Sequence, residues 1–427
     1  MDSKQKKENP VRRGKFGAAG VLLLLFVMAA GAFLPAAALL ACGPARKAGT
    51  GDAGSGKAAE TAADPAGKET PVAPELAGLA RTEEIIPEYA EGFSIFRYEG
   101  GYTFIGIPQG TSCLVVPEGS SVPEGLPEDA AILRQPLDKV YMAASSVMAL
   151  YRALGAVDLV AFSATAADQW YVEEAKEAML SGDILFAGKY SAPDYELLLD
   201  RGCSAAIEST MIYHHPEVKE KLESLGIPVF VDQSSYEQSP LGRMEWIRVY
   251  GELTGQAETA EAFFRAQAER VRQVEEDVLR DSGERKTAAF FYISSGGQAV
   301  VRTGDDYIAE MISMAGGQYV LSGLRNANPD SRSGSVSLTM EEFYRAAKDA
   351  DYLVYNTNID SSVTDLSEML EKNSLLGDFA AVKNGRVFVT DRYFYQATDI
   401  LGEMIVDFHR MFAGEDDGGM TFLRRLR

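Results

Sequence analysis

Two histidines stand side by side in this chain, His214 and His215, with Tyr213 before them, and 427 residues contain only one other. Imidazole ligates metals and titrates near neutral pH, so the pair is a candidate metal ligand. Neighbouring side chains diverge, so at most one would face a given centre, and Pro216 equally suits the first position of a helix. Arg302 and Arg392 are the next candidates. A guanidinium offers a planar fork of donors that fits carboxylates and catecholate-type anions; on a plain surface it is only solvated. A third group is aromatic and hydrogen-bonding: Trp170, Tyr171, Tyr190, Tyr213 and Tyr236 early in the chain, and Tyr292, Tyr393, Tyr395 and Gln396 later. Large planar or chelated ligands want such apolar walls with a few polar anchors. Ser145 and Ser146, just before MALYRAL, would open a helix whose free N–H groups accept anions, or would simply cap it.

Little else in the chain points to catalysis. Beyond the His214-His215 pair it has no closely spaced metal-binding His/Cys set, it has no G-x-S-x-G, and GDAGSGK (Gly51 to Lys57) fails as a phosphate loop because Ala58 replaces the magnesium-binding hydroxyl. Capture without chemistry is the expectation, and an extracytoplasmic enzyme is the weaker alternative. The formal charge is −21, and the first 42 residues are net basic, so the body is more acidic still. Such a surface repels nucleic acid.

The elements that would position these residues fall into two blocks. In the first, Phe93 to Ile107 reads as a hairpin around Glu99-Gly100-Gly101. Apolar strands then alternate with helices: VYMAA, LVAFS, ILFAG, SAAIEST and IPVFVD, each ending near one of the aromatic or hydroxyl-rich loops. That pattern predicts a parallel sheet covered on both faces, with ligands beyond the carboxyl ends of its strands. Ser239-Pro240 predicts a capped helix running to Gly255. From about Glu258 to Arg280 there is no Gly or Pro, and Ala260, Phe264, Val271, Val274 and Val278 recur at helical spacing, which predicts one long amphipathic helix. The second block repeats the strand-helix logic from TAAFFYIS onward, with Thr339 a candidate N-cap. The organisation expected is 85–255 for an N-terminal α/β lobe, 256–284 for a backbone helix and 285–427 for a C-terminal α/β lobe: two Rossmann-like lobes joined by one long helix.

Ahead of them, a basic stretch precedes a long apolar run ending in Leu39-Leu40-Ala41-Cys42, which looks like a bacterial lipobox. The resemblance implies cleavage before Cys42 and a lipid on its sulfur; the run is also long enough for an uncleaved membrane anchor. Residues 43–84 are poor in large apolar side chains and are expected to be a disordered tether. Cys113 and Cys203 either pair or stay buried thiols.

Together, the lipobox, tether, two lobes and long helix resemble the helical-backbone class (class III, chelatase-like) of ABC-transporter substrate-binding proteins. SSVMALYRALGAVDLVAFS is similar to the family's opening stretch. SAPDYELLL is similar to its Pro-Asn-x-Glu segment with Asp194 for Asn, and LGIPVFV to its next strand. MEWIRVYGELTGQAETAEAF and SLTMEEFYRAAKDADYLVY are similar to the segments before the backbone helix and in the second lobe. The likeness spans most of Val140 to Phe412. Asp200-Arg201-Gly202-Cys203 departs from it, standing where the family has Pro-Asp. The resemblance implies a monomeric, lipid-anchored importer component with no intrinsic cofactor. It would take a metal chelate, a ferric siderophore first and cobalamin or heme as alternatives, and deliver it to a permease and its ATPase. By position, Glu196 and Glu341 would dock on permease arginines, although acids at helix starts also serve the helix dipole. With heme or a corrinoid, His214 or His215 would be the metal ligand.

Overall fold

A computed structural model of the chain describes residues 72–328, 333–415 and 417–427. Cys42, the leader and most of the tether lie outside the described residues. The C-terminal end of the stretch expected to be a disordered tether, 43–84, is instead structured. Residues 81–85 form β1 (Arg81–Ile85), and Leu76 is buried. As an edge strand, β1 is held by its backbone ladder to the next strand, so it needs no apolar side chains to be ordered.

The first sheet continues with β2 (Ser94–Tyr98), β3 (Thr103–Gly106), β4 (Cys113–Val116) and β5 (Ala131–Arg134), paired in that order. The hairpin read from the sequence is β2 and β3 within it. Side chains alternate between its faces: Phe96, Phe104, Leu114 and Val116 cover Leu76 on one side. Ile95, Ile105, Cys113 and Val115 join the main core on the other. Ahead of the parallel sheet the N-terminal lobe therefore carries a five-stranded sheet where a hairpin was expected.

The second sheet starts with β6 (Val140–Met142), followed by α1 (Ser145–Ala153), β7 (Val160–Ser163), α2 (Glu173–Ser181) and β8 (Leu185–Phe186). A short ribbon, β9 (Gly188–Lys189) and β10 (Ala192–Pro193), leads to α3 (Tyr195–Arg201), β11 (Ala206–Ser209), α4 (Pro216–Ser224) and β12 (Val229–Asp232). Its order is β12-β11-β6-β7-β8, and every pair is parallel. Parallel strands need crossover helices on both faces, which is why these strands read as unbroken apolar runs.

Three helices then leave this lobe: α5 (Pro240–Glu245), α6 (Ile247–Thr254) and α7 (Ala257–Arg280). The Ser239 hydroxyl caps α5 by accepting from Gly242 N at 3.2 Å. At 24 residues, α7 is about 36 Å long at 1.5 Å per residue. Ala260, Phe264, Val271 and Val274 are buried along one stripe, and Arg272–Glu269 and Arg280–Asp277 pairs line its wet side.

The C-terminal lobe comprises β13 (Thr287–Ile293), β14 (Ala299–Arg302), α8 (Tyr307–Met314), β15 (Gln318–Tyr319), β16 (Ser335–Leu338) and α9 (Met340–Ala347). It closes with β17 (Tyr352–Tyr355), α10 (Leu366–Lys372), α11 (Ala380–Lys383), β18 (Val387–Thr390), α12 (Leu401–Ala413) and β19 (Leu423–Arg425). The order β16-β14-β13-β17-β18-β19 is parallel in the centre and antiparallel at its edges. One core runs through both lobes, with Leu150, Trp246, Phe264, Ile312 and Phe408 in the same cluster. The lobes are thus joined by packed side chains as well as by chain. Cys113 and Cys203 are free thiols, and no helix of the described residues is long and apolar enough to cross a membrane.

Candidate functional site

Between the lobes lies a cleft of about 680 Å³. The turn after β12 and the start of α5 form one side; the end of β14, the start of α8 and the 392–396 turn form the other. Both sides are strand-end segments, where an open α/β sheet leaves its crevice.

Arg243 reaches the cleft from α5. Its Nε donates to Glu237 O at 2.8 Å and Nη2 to Ser235 O at 2.7 Å, and its guanidinium lies over the Tyr307 ring at 3.7 Å. Burial lowers its pKa. Arg302, at the end of β14, sits 3.6 Å from Asp306 and donates to the Tyr395 hydroxyl. Tyr395 also accepts from Asn356 Nδ2 at 2.8 Å. Asp306 caps α8 by accepting from Ile308 N at 3.0 Å, and burial raises its pKa against the pull of Arg302. The cleft thus holds two guanidiniums: Arg302 pairs with a carboxylate, and Arg243 makes no ion pair among the described residues.

Of the residues singled out from the sequence, Ser146, Tyr236, Arg302 and Tyr395 line this cleft. Tyr213 stands beside it, accepting from the cleft residue Gln233 through its hydroxyl at 3.1 Å. The others do not line it. Ser145 begins α1 outside the lining. Trp170 is 2% exposed, its indole N–H directed to Ser163 Oγ at 3.2 Å, because the loop after β7 folds it into the core. Tyr292 packs against the outer core of the C-terminal lobe, and Tyr393 against Arg152 and Phe422. Tyr171 and Arg392 line a separate hollow of about 520 Å³, where Arg392 Nη2 donates to Ser361 O at 3.0 Å. Gln396 joins the lobes: its amide accepts from Tyr171 N at 2.8 Å and donates to Gln169 O at 2.9 Å. The Arg152–Asp399 ion pair reinforces that bridge.

The histidines are likewise elsewhere. His214 is exposed, while His215 lies 3.2 Å from Glu217 and edge-on to Tyr190. Pro216 follows at the first turn of α4, so the pair ends a turn that starts a helix. Among the described residues no group of three or more His, Cys, Asp or Glu could hold a metal ion.

Sequence reasoning missed Arg243, Tyr307, Gln233 and Glu237. The usable signal for Arg243 was its place one turn into a Ser-Pro-capped helix that starts at a strand's carboxyl end. Glu196 and Glu341 both lie in first turns and are exposed. Capping there is done by others: Asp194 accepts from Leu197 N at 3.0 Å, and Thr339 forms a capping box with Glu342. Neither the Glu196 nor the Glu341 side chain has a hydrogen bond or ion pair among the described residues.

The profile of a family described as periplasmic binding protein matches residues 140–393. The uncharacterized lipoprotein MJ0878 of Methanocaldococcus jannaschii is 27% identical over 310 residues, 68% of this chain and 69% of that protein. Among solved structures, a periplasmic binding protein of Veillonella parvula is 16% identical with a TM-score of 0.51, covering 64% of this chain and 90% of its own. A periplasmic heme binding protein of Vibrio cholerae is 17% identical with a TM-score of 0.51, covering 64% and 99%. At these identities the structural likeness speaks for the fold.

Proposed function

This chain belongs to the periplasmic binding protein family, a family of substrate-binding proteins, and from that premise we propose that it is the capturing component of an ABC importer for an iron complex. The complex is an anionic ferric siderophore, held between the lobes and handed to a permease and its ATPase. The observation that carries this reading is the pair of guanidiniums, Arg243 and Arg302, facing one cleft whose lining also holds tyrosines, hydroxyls and the acids Glu91, Glu237, Asp305 and Asp306. Charge-assisted bonds from two forks select a chelate with exposed carboxylate or catecholate oxygens. A siderophore already saturates its iron, so it asks no ligand of the protein. The position of His214 and His215 outside the cleft favours it over heme or a corrinoid held by histidine. We further propose that Cys42 carries the lipid anchor, in keeping with the lipoprotein relative, that the bound chelate is the only metal group, and that Glu196 and Glu341 meet the permease.

Titrating purified protein with ferric enterobactin, ferrioxamine B, heme and cyanocobalamin tests this. The anionic ferric enterobactin is expected to quench Trp246, whose indole donates to the cleft residue Glu237 at 2.9 Å. Binding of heme or cyanocobalamin alone would replace the siderophore reading. The combined Glu196→Ala and Glu341→Ala variant is expected to abolish uptake with affinity unchanged; weakened binding in the soluble protein would remove the docking assignment.

A further inference from the structure

The family match begins at residue 140, yet the cleft is not built from the matched residues alone. In the first sheet, β1, β2, β3 and β4 are successive antiparallel neighbours. Direction reverses at each step, so the β1–β2 and β3–β4 connections emerge at the same end. Both reach the cleft: Glu91 and Gly92 line it from the first, Pro108 and Gln109 from the second.

The first connection is clamped. Glu245 accepts from the backbone N–H groups of Glu88, Tyr89 and Ala90 at 2.9, 2.8 and 2.9 Å. Glu237 accepts from those of Glu91 at 3.0 Å and Gly92 at 2.9 Å. Five consecutive N–H groups are thus satisfied by two buried carboxylates on the segment that also carries Arg243. A charged acceptor makes each such bond stronger than a neutral one.

The seams are tight on both connections. A Cβ at Gly92 would stand 2.9 Å from both Glu237 Oε1 and the Trp246 ring, and one at Gly110 would stand 2.0 Å from Gln233 Nε2. Gln233 itself donates to Gln109 O at 3.3 Å. Backbone packs against the lobe here at a distance that a side chain would not permit.

We infer that the sheet preceding residue 140 is a third wall of the ligand cleft, and that it restricts the protein to ferric chelates without bulky substituents on that side. The inference rests on the capture reading above. A substituent pointing toward Pro108 and Gly92 meets ordered backbone where a two-lobed cleft would offer solvent.

The test uses the full-length protein, ferric enterobactin and ferrioxamine B, with affinity read by tryptophan quenching and amide hydrogen exchange read by mass spectrometry. Whichever chelate binds the wild type is expected to protect amides 88–92, 107, 109 and 110 together with those around Arg243. Pro108→Trp is expected to weaken that chelate about tenfold or more with an unchanged melting temperature. Protection around Arg243 without any at 88–92, 107, 109 and 110 overturns the wall while leaving capture in place, as does unchanged affinity in Pro108→Trp. If that variant melts early, the exchange pattern of the wild type decides. Failure of the wild type to bind either chelate overturns the capture reading, and the wall with it.

Discussion

Each lobe brings one arginine to the cleft, and the two charges are held differently. Arg302 in the C-terminal lobe faces Asp306 and bonds Tyr395. Arg243 in the N-terminal region bonds two backbone carbonyls and rests on the face of Tyr307, and it makes no ion pair among the described residues. The charge on Arg302 is paired with Asp306, whereas Arg243 feels Asp306 and Glu237 only at longer range, and under the proposed function an incoming anion would pair with it. Buried acids show a similar contrast. In the C-terminal lobe Asp407 accepts three backbone N–H groups, from Thr421, Phe422 and Leu423. In the N-terminal lobe Glu208, on β11, is fully buried with neither oxygen hydrogen-bonded among the described residues, and burial pushes its pKa up to about 8.

The sharpest way to break this comparison is Glu208→Gln. The folded pKa lies above the ordinary carboxylate value of 4.5, so wild-type stability is full below that value and falls as pH rises through 8. The neutral amide does not titrate. The two proteins should melt alike near pH 4.5, and at pH 9 the variant should be more stable by on the order of 4 kcal/mol. A pH-independent difference in melting would show that Glu208 has a partner after all.

Arg302→Ala comes next. It leaves the Asp306 carboxylate buried without its cation and should cost about 3 kcal/mol of unfolding free energy in urea. Arg243→Ala should be milder in that assay, about 1 kcal/mol, and more severe in the other. Affinity for ferric enterobactin should drop about 30-fold, and Arg243→Lys should recover only part of it because the fork is gone. If Arg302→Ala damaged binding more and stability less than Arg243→Ala, the assignment of the two charges would be reversed.

Much of the framework was legible because its signals are local. The stripe Ala260, Phe264, Val271, Val274 made α7 visible, and Ser239 and Thr339 marked helix starts through their own hydroxyls. The strand-end loops were also found correctly. Which side chains on them face inward was found only in part: Ser146, Tyr236, Arg302 and Tyr395 do, while Trp170 and Tyr393 turn into packing and Gln396 ties the lobes together. An aromatic loop reads the same in sequence whether its rings face a ligand or a core. β1 escaped notice because an edge strand is held by backbone pairing, which leaves no apolar alternation to read.

By itself, then, the sequence determined the periodicities, the caps and the order of strands and helices, since each depends on residues within a few positions of one another. Tertiary structure alone decided that Arg243 meets Tyr307, that Glu245 holds residues 88–90 from 155 or more positions away, and that His214 and His215 stay outside the cleft. Those contacts come from the packing of separate sheets against one another. No short-range pattern encodes them, because the direction of a loop side chain is set by what the rest of the fold places against it.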